Sequence, residues 1–211
     1  MKFQRARTEL QIANRQKEII NACDTLYNNG EYEDINLKAI SEITSIARST
    51  IYNYYKTKEE ILLDILKIEY LEWRDSLQLY FDTTDTLTKE EFSCFLTNSL
   101  AEREKMMRLL SIHFTTIEKN CRLEKLIEFK QEIISVFETF KLGIDKFFPN
   151  ASEEKKADFQ FLFFSSINGI YTMTNPTINQ IQALKTASPD YTVPSFKEMC
   201  YKGILVLISD L

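Results

Sequence analysis

The sequence predicts an all-α chain, on three observations. Apolar residues recur at about 3.6-residue spacing through most of the 211 residues, the period of a helix with one face turned inward. Only 4 Gly and 4 Pro punctuate the chain, which favours long helices over a strand-and-turn fold. The breaks between periodic stretches carry helix-start residues, Ser, Thr or Asn, with Glu three residues on in several cases. About nine helices are expected on this spacing.

Taken in order, Ile12, Ile19, Ile20, Cys23, Leu26 and Tyr27 mark a first helix over roughly 10–28. Gly30 suits the left-handed position past its end. Asn36 is a good N-cap for a second helix, with Leu37, Ile40 and Ile43 inward. The pattern stumbles at Thr44–Ser45, and a third helix follows over about 47–54, with Ile51 and Tyr55 inward. Thr57 and Glu60 form a capping box for a fourth helix running to about Tyr80. Thr88 and Glu91 form another, ahead of Phe92, Phe95, Leu96 and Leu100. Helical patterns continue over 109–114 and from about 122 to 148, where Pro149 stops the run. Asn150 or Ser152 caps the helix over 153–174, which is apolar on nearly all sides. A short helix near 178–185 follows, and Ser195 with Glu198 caps the last one.

Composition narrows the class. Hydrophobic content of 44% and charged content of 27% describe a globular chain. No run of about 18 apolar residues suggests a membrane span, and the basic start is not followed by an apolar stretch, so a cytoplasmic protein is expected. Cys23, Cys94, Cys121 and Cys200 lie far apart, which fits buried thiols rather than a zinc site or disulfide scaffold. The single histidine argues further against a metal site, and no cofactor is expected. Net charge is −5, yet Lys2, Arg5, Arg7, Arg15 and Lys17 face only Glu9 in the first 17 residues. A basic end on an acidic chain allows local binding to nucleic acid.

Three short helices near the N-terminus, the second and third joined by a turn, describe a helix-turn-helix. Its second helix would enter the major groove by its N-terminal residues. Those residues here are Arg48, Ser49 and Thr50, followed by Tyr52, Asn53 and Tyr54. Arg48 can pair with guanine, Asn53 with adenine, and Thr50 can offer a methyl to thymine. A tyrosine hydroxyl reaches phosphate, and Lys58 adds charge at the next helix start, with Asn36 completing the DNA-facing set. A three-helix cluster with a merely polar face fits the same composition, with Tyr54 as well as Tyr55 in the core.

The stretch NLKAISEITSIARSTIYNYYKTKEEI, residues 36–61, resembles the DNA-binding signature of the tetracycline repressor (TetR) family of bacterial regulators. The matching positions are Leu37, Ile40, Thr50, Ile51, Tyr52, Tyr54, Tyr55, Thr57, Lys58, Glu59 and Glu60, within a likeness over about 10–65. The resemblance implies DNA contacts at Thr50, Tyr52, Tyr54 and Lys58, with Arg48, Ser49 and Asn53 varying by operator. Four positions depart from the family pattern. Ser45 stands for the turn glycine, Ser41 for an alanine, Ala47 for the capping serine and Ser49 for a glycine at the DNA surface.

The resemblance further implies a DNA-binding domain over 1–56 and a helical regulatory and dimerisation domain over 57–211, with the helix of about 57–80 linking them. A small apolar or amphipathic effector would bind there, and Phe92, Phe95, His113, Phe114 and Phe137 are its candidate contacts. The two most apolar helices suggest a homodimer through Phe159, Phe163, Ile167, Tyr171, Phe196, Ile204 and Leu207. Two recognition helices about 34 Å apart would then meet successive major grooves of a double-stranded, palindromic operator. The expected function is a repressor released by its effector, and the alternative is a constitutive DNA- or partner-binding regulator. An enzyme is not expected, for there is no glycine-rich phosphate loop, nucleophile elbow or His/Cys pair.

Overall fold

The computed structural model describes residues 8–211, so the expected basic side chains Lys2, Arg5 and Arg7 lie outside it. Among the described residues there are ten α-helices and no strand. They are α1 (Glu9–Asn29), α2 (Leu37–Glu42), α3 (Arg48–Ile51), α4 (Lys58–Thr83) and α5 (Lys89–Ala101). Then follow α6 (Glu104–Ser111), α7 (Leu123–Phe147), α8 (Glu153–Thr174), α9 (Ile178–Ala187) and α10 (Phe196–Leu207).

Local chemistry starts most of these helices as expected. Asn36 accepts from the Lys38 and Ala39 amides at 3.1 and 3.0 Å. Thr88 and Glu91 close a reciprocal box, and the Ser152 hydroxyl takes the Lys155 amide. Three expectations fail. Gly30 ends α1 in extended backbone, φ −148°, not in the left-handed region. Ser195 precedes α10 without a side-chain bond. Thr57 accepts the Glu60 amide, but the Glu60 carboxylate turns instead to the Lys56 amide and to Arg122.

The chain packs as two compact units, divided elsewhere than at the expected boundary after residue 56. The first holds residues up to Ile68 together with Ile112–Glu132. The first half of α4 belongs here because its apolar run from Ile61 to Leu66 is buried. Ion pairs hold the second segment of this unit in place: Arg122 on Glu60, Lys125 on Asp64 and Lys67 on Glu132. Within that segment a five-residue π turn, His113–Ile117, replaces the helix expected to run through Phe114. His113 is buried against Phe129, its Nε2 2.8 Å from Glu118 Oε1, while Phe114 is exposed. Burial pushes the Glu118 carboxyl up, but His113 and Lys130 together hold it at about 2.

The second unit comprises Glu69–Ser111 and Ile133–Leu211. Its centre is aromatic. Trp73 stacks on Phe163 with centroids 6.5 Å apart and meets Phe164 edge-on at 6.0 Å. Phe92 is fully buried among Phe81, Phe147, Phe148 and Phe159. Gly143 of α7 lets Phe81 of α4 approach, since a Cβ there would lie 2.4 Å from the ring. On the other side α10 packs on α5 and α8.

Two expected residue sets are corrected. Phe159, Phe163, Ile167, Tyr171 and Ile204 are buried inside their own unit, so these five are core rather than a subunit interface, while Phe196 and Leu207 are half-buried. Other residues of these two helices face out: Phe161 is 72% exposed, Met173 71% and Val206 71%. The candidate effector contacts do not gather either. His113 and Phe114 belong to the first unit, Phe92, Phe95 and Phe137 to the second. There Phe95 stacks on Tyr80 with centroids 3.6 Å apart, and Phe137 packs on Phe164 at 4.7 Å. These rings fill space against one another.

Candidate nucleic-acid interface

The exposed face of the first unit is built by α2, the turn after it and α3. Ile40, Ile46, Ile51 and Tyr55 are buried beneath it. Two polar contacts shape the turn. Thr44 Oγ1 bridges to the Ile46 backbone, accepting its amide at 3.3 Å. The Ser45 amide donates to Glu18 Oε1 of α1 at 2.6 Å. No described residue has a positive φ, so Ser45 replaces the family's glycine without entering a left-handed conformation. The turn is anchored from α1 rather than relieved by glycine.

That anchor gives an expected result. Glu18→Ala leaves the Ser45 amide to water and should cost about 1 kcal/mol in thermal unfolding, with weaker DNA binding. Glu18→Gln keeps an acceptor and should restore most of both. Equal losses in the two variants would show that the bond does not shape the turn.

Ala47 precedes α3 and, as the sequence implies, supplies no side-chain cap. The helix is four residues, shorter than expected. Tyr52 closes an i−4 bond to Arg48, but Asn53 and Tyr54 donate to residues three back, which tightens the end into a turn. Arg48, Ser49, Tyr52 and Asn53 are exposed together, with Thr50 and Tyr54 half-buried at the edge. Of the DNA-facing set, Asn36 is used as the α2 cap, though exposed.

Several of these side chains are engaged. Arg48 Nη2 donates to the Tyr52 hydroxyl at 3.2 Å, with its guanidinium 5.7 Å from the ring centre. Lys58 Nζ lies 2.5 Å from the Tyr32 carbonyl and 3.6 Å above the Tyr32 ring. The Tyr32 hydroxyl in turn bonds Glu59, and burial with this carboxylate beside it pushes that hydroxyl up. Reaching a phosphate therefore requires Lys58 to leave Tyr32. Lys56, absent from the expected set, is exposed and donates to the Tyr52 carbonyl at 2.5 Å. Its position after the matched tyrosines was the available signal. Tyr55 is core, donating to Asp64 at 2.7 Å, and burial followed by that carboxylate pushes its hydroxyl up. Among the described residues no cluster of metal-ligating side chains occurs, and no helix is long and apolar enough to cross a membrane.

Comparison with known proteins identifies the architecture. Residues 68–209 match the model of the tetracyclin repressor-like, C-terminal domain family. A TetR transcriptional regulator from Rhodococcus sp. RHA1 shares the fold with a TM-score of 0.54 at 12% identity, over 93% of this chain and 97% of that one. The fatty acid degradation regulator FadR from Bacillus halodurans aligns with a TM-score of 0.51 at 15% identity, over 97% of both chains. A search of curated proteins by sequence finds no match. A family model spanning most of the chain, joined to an all-α fold with a helix-turn-helix at its start, places this protein in the tetracycline repressor-like (TetR) family of transcriptional regulators, which are not enzymes.

Proposed function

We propose that the protein is a repressor that binds a palindromic operator as a homodimer and leaves it when a small apolar or amphipathic effector binds. The observation that carries DNA binding is the exposed run Arg48, Ser49, Tyr52 and Asn53 above a buried Ile51 and Tyr55. Such a face offers base-reading donors from one helix and phosphate-reaching hydroxyls at its edge. Pairing through the outward faces of α8 and α10 would repeat the helix on successive major grooves. An effector would act by favouring a form in which the two recognition helices are mis-spaced.

A gel shift with the promoter next to its own gene tests the reading, and failure to bind any double-stranded DNA at low salt would sink it. Arg48→Ala should relax sequence preference by about 1–3 kcal/mol at one position. Tyr52→Phe and Lys58→Ala should weaken binding to all sequences alike. Unchanged preference in Arg48→Ala would remove the base-reading role.

One observation favours a constitutive regulator instead: Phe92, Phe95 and Phe137, expected to line an effector chamber, are each packed on another ring, Phe148, Tyr80 and Phe164. Long-chain fatty acids, as representative amphipaths, separate the two. Loss of the shifted band, with a raised melting temperature, supports release by an effector. No change in either supports constitutive binding.

A further inference from the structure

We propose that Tyr32 is a positioning residue for DNA binding: it holds Lys58 away from phosphate, and freeing that lysine lowers the affinity the protein would otherwise have. The inference rests on the DNA binding proposed above and adds what sets its strength.

The hold is made by three parts of one residue. Lys58 Nζ donates to the Tyr32 carbonyl at 2.5 Å and stands 3.6 Å from the centre of the Tyr32 ring. The Tyr32 hydroxyl donates to Glu59, which is buried and follows Lys58 in the first turn of α4. Backbone, ring face and hydroxyl of Tyr32 thus all meet two adjacent residues of α4. Because Glu59 fixes the hydroxyl end, the ring does not follow Lys58 outward. The ring contact is either made or broken.

The surroundings favour the held form. Tyr32 opens the short 3₁₀ turn Tyr32–Asp34, and its neighbours Glu31, Glu33 and Asp34 are all exposed. An acidic connection attracts an ammonium and repels phosphate. Lys58 and Tyr32 are both half-buried, and a cation over a ring is held more strongly as water is excluded. Release nonetheless unfolds nothing. The Tyr32 carbonyl also accepts the Ile35 amide at 3.3 Å, so it keeps a hydrogen bond when Lys58 leaves.

Ring and phosphate therefore compete for one ammonium. The apparent affinity for DNA is the intrinsic one reduced by the fraction of chains in which Lys58 is free. A phosphate contact carries no sequence information, so the reduction applies to every sequence alike.

Binding titrations of full-length chains test the hold, on the promoter duplex named above and on a mixed-sequence duplex at low salt. Tyr32→Phe removes the hydroxyl and keeps the ring, whereas Tyr32→Leu removes both. Glu59 loses its donor in each, so the two variants differ in the ring alone. Each ring contact removed is expected to strengthen binding by about twofold or more, and a homodimer has two. Tyr32→Leu should therefore bind both duplexes about fourfold or more tighter than Tyr32→Phe. In a Lys58→Ala background that difference should vanish. Equal or weaker binding by Tyr32→Leu, or a difference that survives Lys58→Ala, overturns the hold and keeps DNA binding. A parent chain that binds neither duplex overturns both.

A second measurement needs no DNA. Lys58 is acetylated with an N-hydroxysuccinimide ester and its rate is read by mass spectrometry against Lys17, an exposed lysine of α1. The ratio should rise about twofold or more from Tyr32→Phe to Tyr32→Leu. An unchanged ratio overturns the hold.

Discussion

Arg122→Ala is expected to destabilise the first unit by about 2–4 kcal/mol, read by urea unfolding at neutral pH. Glu60 is fully buried at the start of α4. Its two oxygens take Arg122 Nε at 2.6 Å and Nη2 at 2.9 Å, and the Lys56 amide adds a third bond at 2.7 Å. Removing the guanidinium leaves a buried carboxylate with backbone donors alone. The range is set below the usual cost of breaking a fully buried pair because Arg122 itself is 42% exposed, so water can partly replace it. The pH dependence follows in sign. Burial by itself would raise the Glu60 carboxyl, but the bonds from Arg122 and Lys56 outweigh it and hold the group below 4.5. Its contribution is therefore complete above the ordinary value and is lost as pH falls through the lower, folded value. In Arg122→Ala burial acts with less opposition, so acid sensitivity should begin at higher pH. An acid transition identical to that of the parent would show that the pair does not hold this charge.

Trp73→Ala should cost the second unit about 3–5 kcal/mol, the range for truncating a large buried aromatic. Trp73 is fully buried, contacts Phe140, Phe163 and Phe164, and donates Nε1 to Ser99 at 3.1 Å. The loss combines a cavity with one lost hydrogen bond, while the Ser99 hydroxyl keeps its donation to the Leu96 carbonyl at 2.8 Å. It is the only tryptophan in the chain, so in the parent protein its fluorescence reports unfolding of the second unit alone. Helical content read by circular dichroism reports both units and is the readout for the Trp73 variants, which lack the fluorophore; in variants that keep Trp73 the two signals together assign the effect. Trp73→Phe should recover much of the stability, and a loss below 1 kcal/mol in Trp73→Ala would mean the aromatic cluster repacks around the gap.

What the sequence made legible was local chemistry. Asn36, Thr88 and Ser152 act within three residues of themselves, so their caps could be read directly, as could the inward placement of Ile51 and Tyr55. Phase was not legible in α8. With phenylalanine at 159, 161, 163 and 164, periodicity finds a stripe but cannot say which side meets the core. The core took Phe159 and Phe163, leaving Phe161 and Leu162 outside. Contacts between distant residues left no signature at all. Glu18 reaches Ser45 across 27 residues and Arg122 reaches Glu60 across 62. Nor could spacing foresee that Lys58 would settle on Tyr32, since its matched position marks only where it starts.

The crossing of α4 and α7 carries a consequence for how this core can change over generations. Gly143 has no side chain because the Phe81 ring occupies its place, and Phe92, Phe95 and Phe147 hold that ring there. Enlarging Gly143 alone forces a clash, and shrinking Phe81 alone leaves a void. The two positions are thus tied in inheritance: each change is harmful singly and tolerable with its counterpart. A lineage can move from a ring on α4 to a methyl on α7 only by passing through an intermediate worse than either end, which makes this pair a slow-drifting marker within an otherwise adaptable aromatic interior.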